Sequence, residues 1–170
     1  MIDINKVRIV EDFPTKGIRF YDITTVLNDP ESFSSIFKTL VEKARQMSPE
    51  VIVGLEARGF YFAPALALAL NLPFVPIRKK GKLPYLTYTE TYQLEYGQAQ
   101  IEIHQDAMKM GKRVLIIDDI LATGGTANAA AQLVNNFQPA EIMFLFFMEL
   151  SFLEGRKKLG NRVIETLEIV

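Results

Sequence analysis

Phe33, Ile36, Phe37, Leu40, Val41 and Ala44 recur at helical spacing behind an Asp29-Pro30 pair. The pattern predicts an amphipathic helix with Asp29 as N-cap and Pro30 as first helical residue, ending before Pro49. Val51, Ile52 and Val53 then form a continuous apolar run stopped by a glycine, the signature of a short strand buried on both faces. Roughly Gly59 to Leu70 is apolar nearly all round and predicts a second helix. Phe74 to Ile77 and Val114 to Ile117 read as further strands, Gly125 to Phe137 as a helix, and Ile142 to Met148 as a fourth strand. Strands alternating with helices imply βαβ units, hence an α/β fold with a central parallel sheet flanked by helices.

The stretch RKKGKLPYLTYTETYQLEYGQAQIEI breaks this rhythm, being rich in Tyr, Thr and charge and poor in aliphatics until Ile101. We expect a flap or long hairpin standing off the sheet, of the kind that closes over a ligand. His104, the single histidine, follows the Ile101, Ile103 alternation on the opposite face and is expected at the surface or an interface.

Composition narrows the picture. With 170 residues, 49% of them hydrophobic, and no repeat or compositional break, the sequence reads as one domain, 1–170. A formal net charge of −1 argues against a nucleic-acid binder, so any basic patch must be local. The absence of cysteine rules out disulfides and thiolate metal sites and suits a reducing compartment. Neither a signal-peptide core nor an apolar run of membrane-spanning length is evident, so no membrane association is expected and the cytoplasm is the expected location.

The chemistry concentrates in VLIIDDILATGGT. In an open parallel sheet, ligands bind beyond the carboxyl ends of the strands, and Asp118 and Asp119 fall at that edge. Behind them Thr123-Gly124-Gly125-Thr126 leads into a helix, where glycines admit a phosphate to the backbone and unpaired N–H groups face it. Neither GxxxxGK[ST] nor GxGxxG is present, so a triphosphate loop and a dinucleotide loop are both set aside. Taken singly, the acidic pair reads as a solvated strand end and the glycine pair as a helix start. Together they suit a ribose 5-phosphate, with its diol on the carboxylates and its phosphate on the loop. Two other strand ends carry Arg58-Gly59 and Arg78-Lys79-Lys80-Gly81-Lys82. A charge run is usually a solvated face. Cations at neighbouring strand ends of a near-neutral protein also suit a second anionic group, with Arg58 gripping bidentately and Lys82 acting as a point charge. One phosphate and a diphosphate on a single ribose describe phosphoribosyl pyrophosphate.

Over almost its whole length the sequence resembles the adenine phosphoribosyltransferases, a branch of the type I phosphoribosyltransferases. The resemblance is carried by DFPTKGIRFYDIT, EARGF, RKKGKLP, LEYG, VLIIDDILATGGT and ELSFLEGRKKL. It implies a type I phosphoribosyltransferase fold with a small N-terminal hood, residues 1–30, and a flexible flap, residues 78–100. It also implies conversion of adenine and phosphoribosyl pyrophosphate to AMP and pyrophosphate, with Mg²⁺ bound through the substrate, in a homodimer. On this reading Asp118 and Asp119 hold the diol, and Ala122, Thr123, Gly124, Gly125 and Thr126 the 5′-phosphate. Arg58, Gly59, Arg78, Lys79 and Lys82 would meet the pyrophosphate. The base would stack on Phe20, with backbone groups around Arg19 at its Watson–Crick edge. Glu95 would meet the imidazole edge and take the proton lost there, and Tyr96 would help close the flap. Two positions depart from the family pattern: Ala63, where glycine is common, and Tyr21, where arginine is frequent beside the base.

Three rivals compete with this reading. The same fold acting on hypoxanthine or guanine is disfavoured by DDILATGG. A non-catalytic phosphoribosyl pyrophosphate sensor would need a further domain, and a structural subunit would leave two anion sites unexplained.

Overall fold

The computed structural model describes residues 6–93 and 97–170. A short hairpin, β1 (Arg8–Glu11) and β2 (Arg19–Asp22), comes first and stands apart from the main sheet. One turn of helix, α1 (Thr24–Leu27), leads to α2 (Pro30–Met47), and β3 (Val51–Leu55) follows. A 3₁₀ turn over Arg58–Tyr61 precedes α3 (Ala63–Leu70) and β4 (Phe74–Lys79). A long antiparallel hairpin, β5 (Thr87–Gln93) and β6 (Gln98–His104), separates these from β7 (Arg113–Leu121), α4 (Gly125–Asn135) and β8 (Glu141–Glu149). Last come α5 (Gly155–Leu159) and β9 (Val163–Ile169).

Among the described residues the main sheet runs β5-β6-β4-β3-β7-β8-β9. The five strands from β4 to β9 are mutually parallel, and β6 joins β4 antiparallel through Arg78↔Glu102 and Lys79↔Ile101. The Tyr- and Thr-rich hairpin is therefore rooted in the sheet, where the sequence pattern suggested that it stands off it. The cause is the alternation at its base: Ile101 and Ile103 are buried in the core, and burial at period two anchors a strand however polar its other face.

Alternation along β7 divides the interior. Val114 and Ile116 face a core completed by α4, whose Ala130, Leu133 and Val134 are buried there. Leu115 and Ile117 face the opposite core with Ile36, Leu40 and Ala44 of α2 and Leu66 of α3. The helix expected from Asp29-Pro30 forms as read, with Pro30 as its first residue and left-handed Ser48 ending it before Pro49. The one expected over Gly59–Leu70 divides at Phe62. Gly54 lies inside β3 and does not end it. A Cβ there would come 2.6 Å from the Ala63 Cβ, so the start of α3 packs its Ala63 methyl directly on the β3 backbone. His104 is half-buried, and its Nε2 is buried without a hydrogen-bond partner. No helix of the described residues is long and apolar enough to cross a membrane.

Candidate active site

Unequal strand pairing creates the cleft. β7 stays paired with β3 only as far as Gly54↔Ile117, but with β8 through Leu121↔Glu149. Asp118 and Asp119 thus continue the strand on one side while its other edge has opened. The sequence places them just past the strand; pairing to β8 carries the strand through them. Asp119 is only 2% exposed and Asp118 half-buried. Burial pushes both carboxyls above the ordinary range. The neighbouring Asp119 charge adds to the shift at Asp118, and Arg58 opposes it at Asp119. Asp118 Oδ1 accepts the N–H of Asp119 at 2.9 Å. Asp119 Oδ2 lies 2.8 Å from Arg58 Nε, yet the approach is not aligned as a hydrogen bond, and this buried oxygen has no donor. A buried acceptor in that state is suited to a hydroxyl donor from a ligand.

Past Leu121 the backbone turns through Ala122 and Thr123 into Gly124, whose φ of 75° is left-handed, and α4 begins at Gly125. A Cβ on Gly124 would lie 2.4 Å from the Gly155 carbonyl oxygen, so both conformation and packing require glycine. The first N–H groups of α4 have no partners within the helix, and they favour an anion. Thr126 Oγ1 donates to the Tyr92 hydroxyl at 3.2 Å, tying β5 to this loop.

The cationic strand ends converge, but not as free charges. Glu56, just beyond β3, accepts from Arg78 Nε at 3.2 Å and the Lys79 N–H at 3.1 Å, and it pairs with Lys82 Nζ. Burial raises the Glu56 carboxyl, yet the bonds from Lys82, Lys79 and Arg78 outweigh it and hold the group below its ordinary value. Glu102, buried on β6, accepts the N–H groups of Gly81, Lys82 and Leu83 on one oxygen, at 3.0, 3.1 and 3.0 Å. Glu56 opens the EARGF stretch, yet the sequence assigns a role to neither glutamate, because both act through strands distant along the polypeptide. Gly59 packs directly on β7: a Cβ there would come 2.6 Å from the Ile117 oxygen and 3.2 Å from Asp118 Oδ1.

Arg58 stands apart from the Glu56 contacts. Its Cζ lies 5.1 Å from the Phe20 ring centroid, so one guanidinium meets both Asp119 and the ring. Phe20 is half-buried on β2 and is met edge-on by Phe13 at 5.1 Å. Arg19, beside it, pairs with Glu11 at 3.0 Å. A cavity of about 620 Å³ is lined by Arg19, Phe20, Tyr21, Arg58, Ala122, Thr123, Gly125 and Thr126, while Asp118, Asp119, Gly59, Gly124, Arg78, Lys79 and Lys82 are not in its wall. Its wall also includes Tyr92, Ile120, Leu150, Phe152 and Leu153, which sequence reasoning did not single out. The signal available for the last three was an apolar set inside the otherwise polar ELSFLEGRKK stretch. Tyr21 is buried in the core as well as touching the cavity. Glu95 and Tyr96 lie outside the described residues.

Residues 22–164 match the phosphoribosyl transferase domain. The adenine phosphoribosyltransferase of Desulfitobacterium hafniense is 48% identical over 98% of this chain and 96% of its own. The crystal structure of adenine phosphoribosyltransferase from Thermoanaerobacter pseudethanolicus superposes with a TM-score of 0.93 at 45% identity, covering 98% of this chain and 96% of that one. The Saccharomyces cerevisiae enzyme, crystallised with adenine and D-2,5-dideoxy-2,5-imino-altritol 1,6-bisphosphate, gives a TM-score of 0.86 at 42% identity, covering 96% and 94%. With this fold, strand edge and loop, the chain belongs to the adenine phosphoribosyltransferase family.

Proposed function

We propose that the protein transfers the 5-phosphoribosyl group of phosphoribosyl pyrophosphate to adenine, yielding AMP and pyrophosphate. The observation that carries this reading is one cavity that joins the Phe20 ring to the glycine loop opening α4, with a buried, donor-less carboxylate oxygen beside its Arg58 wall. An aromatic face, an acidic pair reached through Arg58 and a glycine loop suit the base, ribose and phosphate of AMP.

Displacement at the ribose C1 leaves positive charge on the sugar and negative charge on the departing diphosphate, so catalysis is positioning and charge stabilisation. We assign the diol to Asp118 and Asp119 and the 5′-phosphate to residues 122–126. Arg58, Gly59, Arg78, Lys79 and Lys82 are assigned to the side where pyrophosphate leaves, with Glu56 as the organiser that keeps Arg78 and Lys82 together. Phe20 and the backbone at Arg19 take the base. Glu95 receives the proton lost from the attacking ring nitrogen, and Tyr96 helps close residues 78–100 over the reaction, while residues 1–30 form the hood.

The donor set fits a Mg²⁺ carried on the substrate. Among the described residues no three His, Cys, Asp or Glu side chains come together to hold a metal, whereas the diphosphate is itself a hard oxygen ligand. Bound there, the ion supplies neutralisation of the leaving group. We further infer a cytoplasmic homodimer. The homodimer is what the family resemblance implies, and sedimentation equilibrium tests it.

The functional reading is tested by turnover with phosphoribosyl pyrophosphate and adenine, hypoxanthine or guanine in parallel. Adenine presents an amino donor and a ring-nitrogen acceptor where hypoxanthine presents a carbonyl and an N–H. A backbone carbonyl and N–H pair therefore fits one and opposes the other, by roughly 10⁴-fold in kcat/KM. Comparable turnover of hypoxanthine or guanine removes the adenine assignment, and no base-dependent turnover removes the reaction.

A further inference from the structure

Glu149 ends β8 and is 5% exposed. Arg156, in α5, closes on it with Nε at 2.7 and 2.8 Å from the two carboxylate oxygens and Nη2 at 2.7 Å from Oε2, while Nη1 donates to the Ile164 carbonyl at 3.1 Å. The six residues between them form a loop with two working surfaces. Leu150, Phe152 and Leu153 line the cavity that Phe20 also lines. At the other end Gly155 lies backbone to backbone against the glycine loop: a Cβ on it would come 2.1 Å from the Ala122 oxygen and 3.1 Å from the Gly124 nitrogen. The Leu150 N–H also donates to the Leu121 oxygen at 2.9 Å, which pins the start of the loop to the end of β7.

We propose that Arg156, acting through Glu149, is a positioning residue for both halves of the AMP subsite. The pair closes the 149–156 loop so that its apolar side chains set the wall facing the base, while Gly155 backs the turn that receives the 5′-phosphate. Neither Arg156 nor Glu149 lines the cavity. Their effect on ligands passes through the loop, and it falls on base and phosphate together because one closure fixes both surfaces. A bidentate guanidinium is required, since a lysine ammonium supplies the charge without the planar fork. This assignment rests on the functional reading above.

The test compares wild type, Arg156→Lys and Gly155→Ala. It reads KM for adenine and for phosphoribosyl pyrophosphate, and calorimetric affinities for AMP and ribose 5-phosphate, all well below each protein's Tm. Arg156→Lys loses part of the bidentate contact and is expected to raise both KM values and weaken AMP by roughly ten- to a hundredfold, with kcat changed less. Gly155→Ala leaves the ion pair intact and is expected to weaken ribose 5-phosphate and AMP. It decides the matter if Arg156→Lys fails to fold. Lowered Tm with unchanged KM values and AMP affinity makes the pair merely structural and overturns the proposal, as does an Arg156→Lys effect confined to one substrate. Wild-type protein that does not turn over adenine defeats the functional reading instead.

Discussion

Arg58 Nε lies 2.8 Å from Asp119 Oδ2. This contact gives the buried Asp119 its counter-charge and draws the Arg58 guanidinium toward the cleft, where it also meets Phe20. From sequence Arg58 is expected to grip pyrophosphate; in the structure it also bridges Asp119 and the Phe20 ring.

Removing that bridge has a signed consequence. Burial raises the Asp119 carboxyl and Arg58 opposes the rise, so Arg58→Ala is expected to raise it further. The ionised carboxylate is the form that accepts the ribose hydroxyls. The acid limb of kcat/KM for phosphoribosyl pyrophosphate is therefore expected to move to higher pH, with slower AMP formation throughout. A uniformly slower enzyme with an unmoved acid limb would separate Arg58 from Asp119.

Asp118 sets activity against stability. Burial, and next the Asp119 charge, lift its carboxyl well above the ordinary range. The folded protein thus binds this proton more tightly than the unfolded one. The stability it contributes is fully present below the ordinary carboxylate pKa and is lost as pH rises through the raised value. Asp118→Asn is expected to unfold at higher temperature than wild type near neutral pH, by about 2–4 °C for each kcal/mol relieved, with the advantage shrinking in acid. Substrate binding is expected to weaken by roughly 1–3 kcal/mol. Thermal scans across pH alongside KM check both, and a variant less stable than wild type at neutral pH contradicts the first.

Gly59 is expected to matter through packing. Its missing Cβ makes room for the Ile117 carbonyl and Asp118, so Gly59→Ala must shift the Ile117 backbone that leads into the acidic pair. A raised KM for phosphoribosyl pyrophosphate is expected, together with a Tm lowered by several degrees, as overpacking costs about 1–3 kcal/mol. Loss of pyrophosphate binding with an unchanged Tm would point to direct phosphate contact.

Glu102 holds the turn that carries Lys82, through three N–H groups on one oxygen. Glu102→Ala is expected to weaken phosphoribosyl pyrophosphate about tenfold, and Glu102→Gln, which keeps an acceptor oxygen, much less. Combined with Lys82→Ala, the alanine change should add little, because the two act through one group. Full additivity in the double mutant would show that Glu102 does not act through Lys82.

What was legible in the sequence follows from which forces are local. β3, β7 and β8 are buried on both faces, so their aliphatic runs announce them, and the acidic pair and glycine loop behind β7 announce the ligand edge. β9 is half-buried along most of its length and reads VIETLEI, a weak alternation without a continuous apolar run. The four-residue strands of the first hairpin are mostly charged or exposed. The β4–β6 pairing, Glu56 and Glu102 depend on contacts between residues 19 to 26 positions apart, which no local pattern records. The wall formed by Leu150, Phe152 and Leu153 was hidden for the same reason, since only the return of the 149–156 loop against β7 and the glycine turn brings it to the cavity.

The central claim, that one cavity holds base and 5′-phosphate in the order Phe20 then the glycine loop, is met most directly by a crystal structure of the protein with AMP. The account predicts the phosphate on the N–H groups of residues 123–126, the ribose hydroxyls on Asp118 and Asp119, and the adenine ring against Phe20. A phosphate bound at Arg78 and Lys82 with the glycine loop empty, or a base lying away from Phe20, would contradict it.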